Sequence, residues 1–287
     1  MRTRNLGGRQ VSEIGFGAMN LSLAGRAPDD ELVNVIHAAL DAGVTLIDTA
    51  DAYCIDDADF HHNETVIRKA LDARPGSRDS VFVATKAGYR RPGGAWVLDG
   101  NPAYIRQTID DSLRALGVEQ IDLLQLHGVD PNVPLETTME AIADAKRTGK
   151  ARLIGLSNVS VDQIERASKV VEIVSVQNEY SPFVLKPEQD GVLQACAERG
   201  MAFLPWGPLG GRSRAKEVGT KGAFATVAER HDVSPQRVVL AWQLAKWPAL
   251  IQIPGGRRVE SVLDSLAAAE LDLTSDEVSE LSASLAQ

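Results

Sequence analysis

The nine residues LIDTADAYC, Leu46 to Cys54, begin as a buried strand and end as something else. Leu46 and Ile47 lead into Asp48, a threonine, two alanines around Asp51, and then Tyr53. A carboxylate at a strand end, followed five residues later by a phenol, suits neither a core nor an ordinary turn. Burying either group costs desolvation energy unless another group answers it.

The stretch is one of eight β-rich runs. They are EIGFGAM from Glu13, VTLIDTA from Val44, VFVATKAG from Val81, IDLLQLHG from Ile121, ARLIGLSN from Ala151, IVSVQNEY from Ile173, MAFLPWGPL from Met201 and ALIQIPGG from Ala249. Most are nearly continuous in apolar residues, the pattern of strands covered on both faces of a parallel sheet. Helical patterns lie between them. Leu32, Val35, Ile36, Ala39 and Leu40 share one helix face, as do Ile105, Ile109, Leu113 and Leu116. Start signals punctuate these helices: Asn101-Pro102, Ser234-Pro235, and Thr274 with Glu277 three residues on, a capping box for a final helix.

Strand then helix, repeated eight times without a linker, predicts a closed (β/α)8 TIM barrel occupying residues 1–287 as one domain. TRNLGGRQVS, with its Gly7-Gly8 turn, predicts an N-terminal β-hairpin across the barrel bottom, and the last helix is an addition at the C-terminus. A doubly wound open sheet is the alternative, but it would open with a glycine-rich dinucleotide fingerprint, which Gly15-Phe16-Gly17 does not satisfy.

A formal charge of −9 argues against nucleic acid or an anionic membrane as the main partner. No apolar run approaches the ~20 residues of a membrane span. Two cysteines far apart in sequence, Cys54 and Cys196, and no hydrophobic leader after Met1 make the cytoplasm the expected compartment. A monomer or weak oligomer acting on a small molecule is the expectation.

Barrel enzymes carry their chemistry at the carboxyl ends of the strands. Those ends offer Asp48 and Tyr53, Lys86, Gln125 and His127, Ser157-Asn158, and Gln177 with Asn178. Singly, each has a plain reading: a core histidine, a lysine paired with an acid, a tight turn around a packed tryptophan. Together they suit proton transfer at a carbonyl. A phenol titrates near 10, and a neighbouring ammonium from Lys86 is expected to lower that value, with Asp48 holding Lys86 charged. His127 would hydrogen-bond the carbonyl oxygen, and Tyr53 would donate the proton. Side chains supply no hydride, so it must come from elsewhere, and a nicotinamide is the natural source. Ser157, Asn158 and Gln177 suit its carboxamide, and Trp206 offers a flat face to its ring.

These segments resemble those of the aldo-keto reductases: DTADAYC, VATKAG, LLQLHG, IGLSN with VQNEYS, and PWGPLG, in order from near the N-terminus to about Ser261. The resemblance implies a catalytic tetrad of Asp48, Tyr53, Lys86 and His127. It implies nicotinamide contacts from Ser157, Asn158, Gln177 and Trp206, and a pyrophosphate turn containing Gly207 and Leu209. It also implies reduction of an aldehyde or ketone by a cofactor lying extended over the barrel mouth. IPGGRRVES resembles the family's adenosine site, with Gly255 allowing close approach, Arg257 and Arg258 on a 2′-phosphate, Glu260 at adenine and Ser261 nearby. Guanidinium groups on a phosphate favour NADPH/NADP over NADH. This chain departs from the family at Cys54, where glycine is usual, at Trp206-Gly207, where Tyr-Ser is common, and in the short GGRRVES segment.

Two other readings remain open at this point: a cofactor-binding regulatory or sensor barrel with little turnover, and a barrel aldolase with Lys86 as Schiff-base nucleophile. Specificity is expected from the loops after the strands. Trp96 and Met19 suit an apolar pocket, whereas Arg90 and Arg91 suit an anionic substrate. Little chain follows the last helix, which points to an open, tolerant pocket.

Overall fold

The computed structural model describes residues 1–220 and 222–285. β1 (Thr3–Leu6) and β2 (Arg9–Ser12) form the antiparallel hairpin, turning at Gly7 and Gly8, both at positive φ. Seven strands then make one parallel sheet: β3 (Phe16–Gly17), β4 (Leu46–Asp48), β5 (Phe82–Ala87), β8 (Ile121–Leu126), β9 (Ala151–Ser157), β10 (Ser175–Gln177) and β11 (Ala202–Phe203). Between β5 and β8 a small antiparallel pair, β6 (Tyr89–Arg90) with β7 (Val97–Leu98), stands apart from the sheet.

The eighth run does not form a regular strand, yet it closes the barrel. Leu250 bridges to Phe203 of β11, and Gln252 bridges to Ile14 just before β3. Gly15 donates to Gln252 O at 2.7 Å and Gly17 to Pro254 O at 3.0 Å. Pro254 has no N–H to continue the ladder, just as Pro205 ends β11 after two residues of the longer MAFLPWGPL run. The architecture is therefore a (β/α)8 barrel in which the last seam is made by single bridges.

Leu6 and Val11 of the hairpin are buried against Leu46, Phe82, Leu123, Val174, Ala202 and Ile251, residues at the amino ends of the barrel strands or within the barrel. The hairpin thus plugs the bottom, and each such side chain contributes about 1.5–3 kcal/mol by leaving water. Inside the barrel Gly155 is required by space: a Cβ there would lie 2.2 Å from Ser175 Oγ. The larger core lies between sheet and helices, where Leu32, Val35, Ile36 and Ala39 of the helix Asp29–Asp41 are buried, as are Ile105, Ile109 and Leu116 of Pro102–Leu116.

The start signals work as expected. Asn101 accepts from Ala103 N, Ser234 accepts from Arg237 N, and Thr274 and Glu277 exchange both bonds of a capping box ahead of the final helix Ser275–Ala283. Among the described residues, no helix is long and apolar enough to cross a membrane.

Candidate active site

Parallel register brings the polar strand ends to one rim. Asp48 pairs with Ala84 two residues before Lys86, Lys86 pairs with Gln125 two residues before His127, and Ser157 pairs with Gln177. After β4 the chain stays anchored to β5: Thr49 N donates to Ala84 O and Asp51 N to Lys86 O. A tight turn then returns Tyr53 over the rim, its N–H donating to Ala50 O.

Lys86 is fully buried and places its three ammonium donors on three acceptors: Asp48 Oδ2 at 2.7 Å, Thr49 O at 2.7 Å and Tyr53 Oη at 2.9 Å. Burial alone would depress this amine, but Asp48 and Tyr53 outweigh it, and its pKa is raised. A permanently charged amine is a poor Schiff-base nucleophile. Tyr53 departs from the sequence expectation. Burial pushes its pKa up, Lys86 only partly pulls it back, and the net result is about 12. The phenol therefore carries its proton at neutral pH. Burial first, then Lys86, holds His127 well below its usual value, so that imidazole is neutral. Its ring meets that of Tyr53 edge-on at 5.6 Å.

Asp48 also links this cluster to the next strands. Its Oδ1 accepts from Gln177 Nε2 at 2.8 Å and from Gln125 Nε2 at 3.4 Å. Asn158, at φ +59°, donates to His127 O at 2.9 Å and Ser157 Oγ at 3.1 Å, while its Oδ1 accepts from Trp206 Nε1 at 2.9 Å. Trp206 is thereby fixed by its edge and remains 36 % exposed. Neighbouring hydroxyl and amide groups with a tethered flat ring fit a planar, amide-bearing cofactor ring beside Tyr53.

The turn after Trp206 is as the sequence suggested in shape: Gly207 is at φ +59° and accepts from Gly210 N at 2.8 Å, with Leu209 packed partly against the core. Further along, a Cβ at Gly255 would lie 2.7 Å from Gly17 O. Gly255 precedes the helix Val259–Leu266, whose start carries exposed Arg258 and Glu260 and part-buried Ser261. Arg258 donates to Ser261 Oγ at 3.3 Å. Arg257 has a different position: its guanidinium gathers the loop after β3, donating to the carbonyls of Asn20, Leu23, Ala24 and Gly25.

Several groups near the site escaped the sequence reading. Asn63 and Glu64, on the helix His62–Asp72, are fully buried behind the Tyr53 loop. Asn63 accepts from Thr49 and donates to Ala18 O and Ser22 Oγ, while Glu64 accepts from Thr85 at 2.6 Å and lies 2.6 Å from His61 Nδ1. The signal for Asn63 was its spacing, since it falls on the apolar face with Val66, Ile67 and Ala70. Asp51, also buried, accepts from Thr108 and Ala52 N. Burial, then the Glu64 carboxylate, push its pKa up to about 7.

The arginines expected to receive an anionic substrate are occupied elsewhere. Arg90 pairs with Asp99 at 2.5 Å and lies 3.9 Å over the Tyr104 ring, and Arg91 is buried among carbonyls. Trp96 meets Tyr53, Tyr89 and His127 edge-on while remaining exposed itself, and Met19 is exposed too.

Residues 13–286 match the model of the aldo/keto reductase family. The pyridoxine 4-dehydrogenase of Escherichia coli is 34% identical over 290 residues, 97% of this chain and 96% of that protein. The aldo-keto reductase yakc [NADP(+)] of Schizosaccharomyces pombe is 32% identical over 311 residues, covering 97% and 90%. A thermostable aldo-keto reductase solved with the inhibitor epalrestat superposes with a TM-score of 0.86 at 27% identity, over 99% of this chain and 100% of the other. With this match along nearly its whole length, on a barrel of the same shape, the chain belongs to the aldo-keto reductase family.

Proposed function

We propose that this oxidoreductase reduces a small-molecule aldehyde or ketone to an alcohol with NADPH, Tyr53 giving the proton and Lys86, Asp48 and His127 assisting. The observation that carries the reading is the buried chain of bonds from Asp48 through Lys86 to the Tyr53 hydroxyl, at 2.7 and 2.9 Å.

When bound, the reduced nicotinamide supplies a hydride to the carbonyl carbon. Ser157, Asn158, Gln177 and Trp206 would hold its ring end, and Gly207, Leu209, Gly255, Arg258, Glu260 and Ser261 would hold the remainder, with Arg257 supporting the adjoining loop. The proton chemistry belongs to the protein. Tyr53, protonated at neutral pH, donates to the carbonyl oxygen as negative charge develops there. The phenolate left behind sits 2.9 Å from a cation already in place, so the charge is met without reorganisation. Asp48 keeps that cation oriented, and solvent returns the proton to Tyr53 afterwards. His127, neutral and beside the phenol, would hydrogen-bond the same oxygen.

NADPH in preference to NADH rests on exposed Arg258 at the start of the helix Val259–Leu266, and the Schizosaccharomyces pombe relative carries NADP(+) in its name. The test is NADPH oxidation against a panel of aldehydes and ketones, paired with titration of Trp fluorescence by NADPH and NADH. Carbonyl-dependent oxidation and quenching at lower NADPH than NADH are expected. Tight binding without turnover on any carbonyl would instead favour a sensor.

A further inference from the structure

Arg91 is 5 % exposed, and its guanidinium spends all five N–H donors on backbone carbonyls. Nη1 donates to Ala52 O at 3.0 Å and Cys54 O at 2.9 Å. Nη2 donates to Ile55 O at 3.2 Å and Gly94 O at 2.8 Å, and Nε donates to Gly94 O at 3.3 Å. Ala52 and Cys54 are the residues on either side of Tyr53. The backbone of Arg91 adds to the grip, its N–H donating to Asp57 Oδ1 and its carbonyl accepting from Asp57 N.

The flat face of the guanidinium lies 3.9 Å over Trp96. That indole in turn meets Tyr53 at 6.3 Å, Tyr89 at 5.5 Å and His127 at 6.2 Å, each edge to face. One side chain therefore holds the backbone on both sides of the phenol and the ring that packs against it. The turn 52–55 has left the sheet, so its carbonyls lack ladder partners; those of buried Ala52 and Cys54 need donors where water is shut out, while Ile55 is exposed. A planar fork can serve four carbonyls and a stacked ring at once, whereas an ammonium has three diverging donors and no flat face.

We propose that Arg91 is a positioning residue for Tyr53, and that its charge is thereby withheld from substrate, leaving Trp96, Tyr89 and His127 to select flat, uncharged carbonyl compounds. The inference rests on the reading of Tyr53 as proton donor.

The test compares wild type with Arg91→Lys on benzaldehyde and 4-carboxybenzaldehyde, with NADPH affinity followed by fluorescence. Wild type should prefer benzaldehyde by ~10-fold or more in kcat/KM. Arg91→Lys should lose ~10- to 100-fold in kcat on both aldehydes at unchanged NADPH affinity. Its deuterium isotope effect from labelled NADPH should rise, because a displaced donor makes the chemical step limiting. In crystals of the variant, Tyr53 Oη should leave hydrogen-bond reach of Lys86 Nζ. Unchanged kcat with the 2.9 Å contact intact overturns the proposal, as does a loss confined to KM for 4-carboxybenzaldehyde, which would make Arg91 a substrate ligand. Should Arg91→Lys not fold, Trp96→Leu tests the wall: KM for benzaldehyde should rise more than KM for propanal, and equal changes contradict the selection. Full activity in Tyr53→Phe would refute the donor itself, and the crystal distance in Arg91→Lys would still decide whether Arg91 holds the turn.

Discussion

Lys86 Nζ stands 2.9 Å from the phenol oxygen of Tyr53 although the two residues are 33 apart in the chain and come from different elements. Asp48, 2.7 Å from the same nitrogen, completes a buried row of carboxylate, ammonium and phenol. Such a row is costly to bury and costlier to break. On the proposed reading the pair acts on the hydroxyl rather than adding net stability.

Lys86→Met should therefore damage two properties at once. Activity should fall by ~1,000-fold or more, since the phenolate loses its cation. Asp48 would be left buried without its countercharge, at a cost of about 3–5 kcal/mol in unfolding free energy. Asp48→Asn combined with Lys86→Met should be more stable than Lys86→Met alone, while remaining inactive. Urea denaturation of Lys86→Met, of Asp48→Asn alone and of the double variant measures this, and strictly additive losses would contradict a coupled pair.

Asp51 predicts a pH dependence of stability. Its folded pKa of about 7 lies above its ordinary value of 3.8, with burial as the main cause. A carboxyl raised in this way favours the folded state fully below pH ~4 and loses that contribution as pH climbs to ~7. Asp51→Asn removes the titration. Relative to wild type, the melting temperature of this variant should improve between pH 5 and pH 8, by ~3 °C or more. A difference that stays constant across that range would mean that Asp51 titrates normally.

The adjacent arginines should separate in function. Arg258, exposed, is expected to meet a 2′-phosphate, so Arg258→Gln should weaken NADPH ~10-fold and leave NADH nearly unchanged. Arg257 holds four carbonyls of the loop 20–25. Arg257→Gln should speed proteolysis or hydrogen exchange in that loop without cofactor and weaken both nucleotides alike. A loss of NADPH affinity alone in Arg257→Gln would give it the phosphate role instead.

The rim residues were legible because a barrel of parallel strands has one register: once Asp48, Lys86, His127, Ser157 and Gln177 are placed at strand ends, pairing alone gathers them. The capped helices were legible from local chemistry at Asn101, Ser234 and Thr274. Long-range compensation was not. Nothing in YRRPGG tells which arginine turns inward to satisfy carbonyls at 52–55, and nothing in IPGGRR tells that Arg257 reaches the loop after β3. The phenol pKa is not legible for a related reason: an adjacent charge can be inferred from sequence, but the degree of burial that outweighs it cannot. The eighth strand was visible as an apolar run, yet its reduction to single bridges follows from Pro254 and the short seam it leaves.

The central claim is that the Tyr53 hydroxyl delivers the proton. Its most direct test is Tyr53→Phe, assayed for carbonyl-dependent NADPH oxidation with cofactor binding followed in parallel by Trp fluorescence. The account predicts a fall in kcat of ~100- to 10,000-fold with NADPH binding preserved. Turnover within about tenfold of wild type, at full cofactor occupancy, would contradict it.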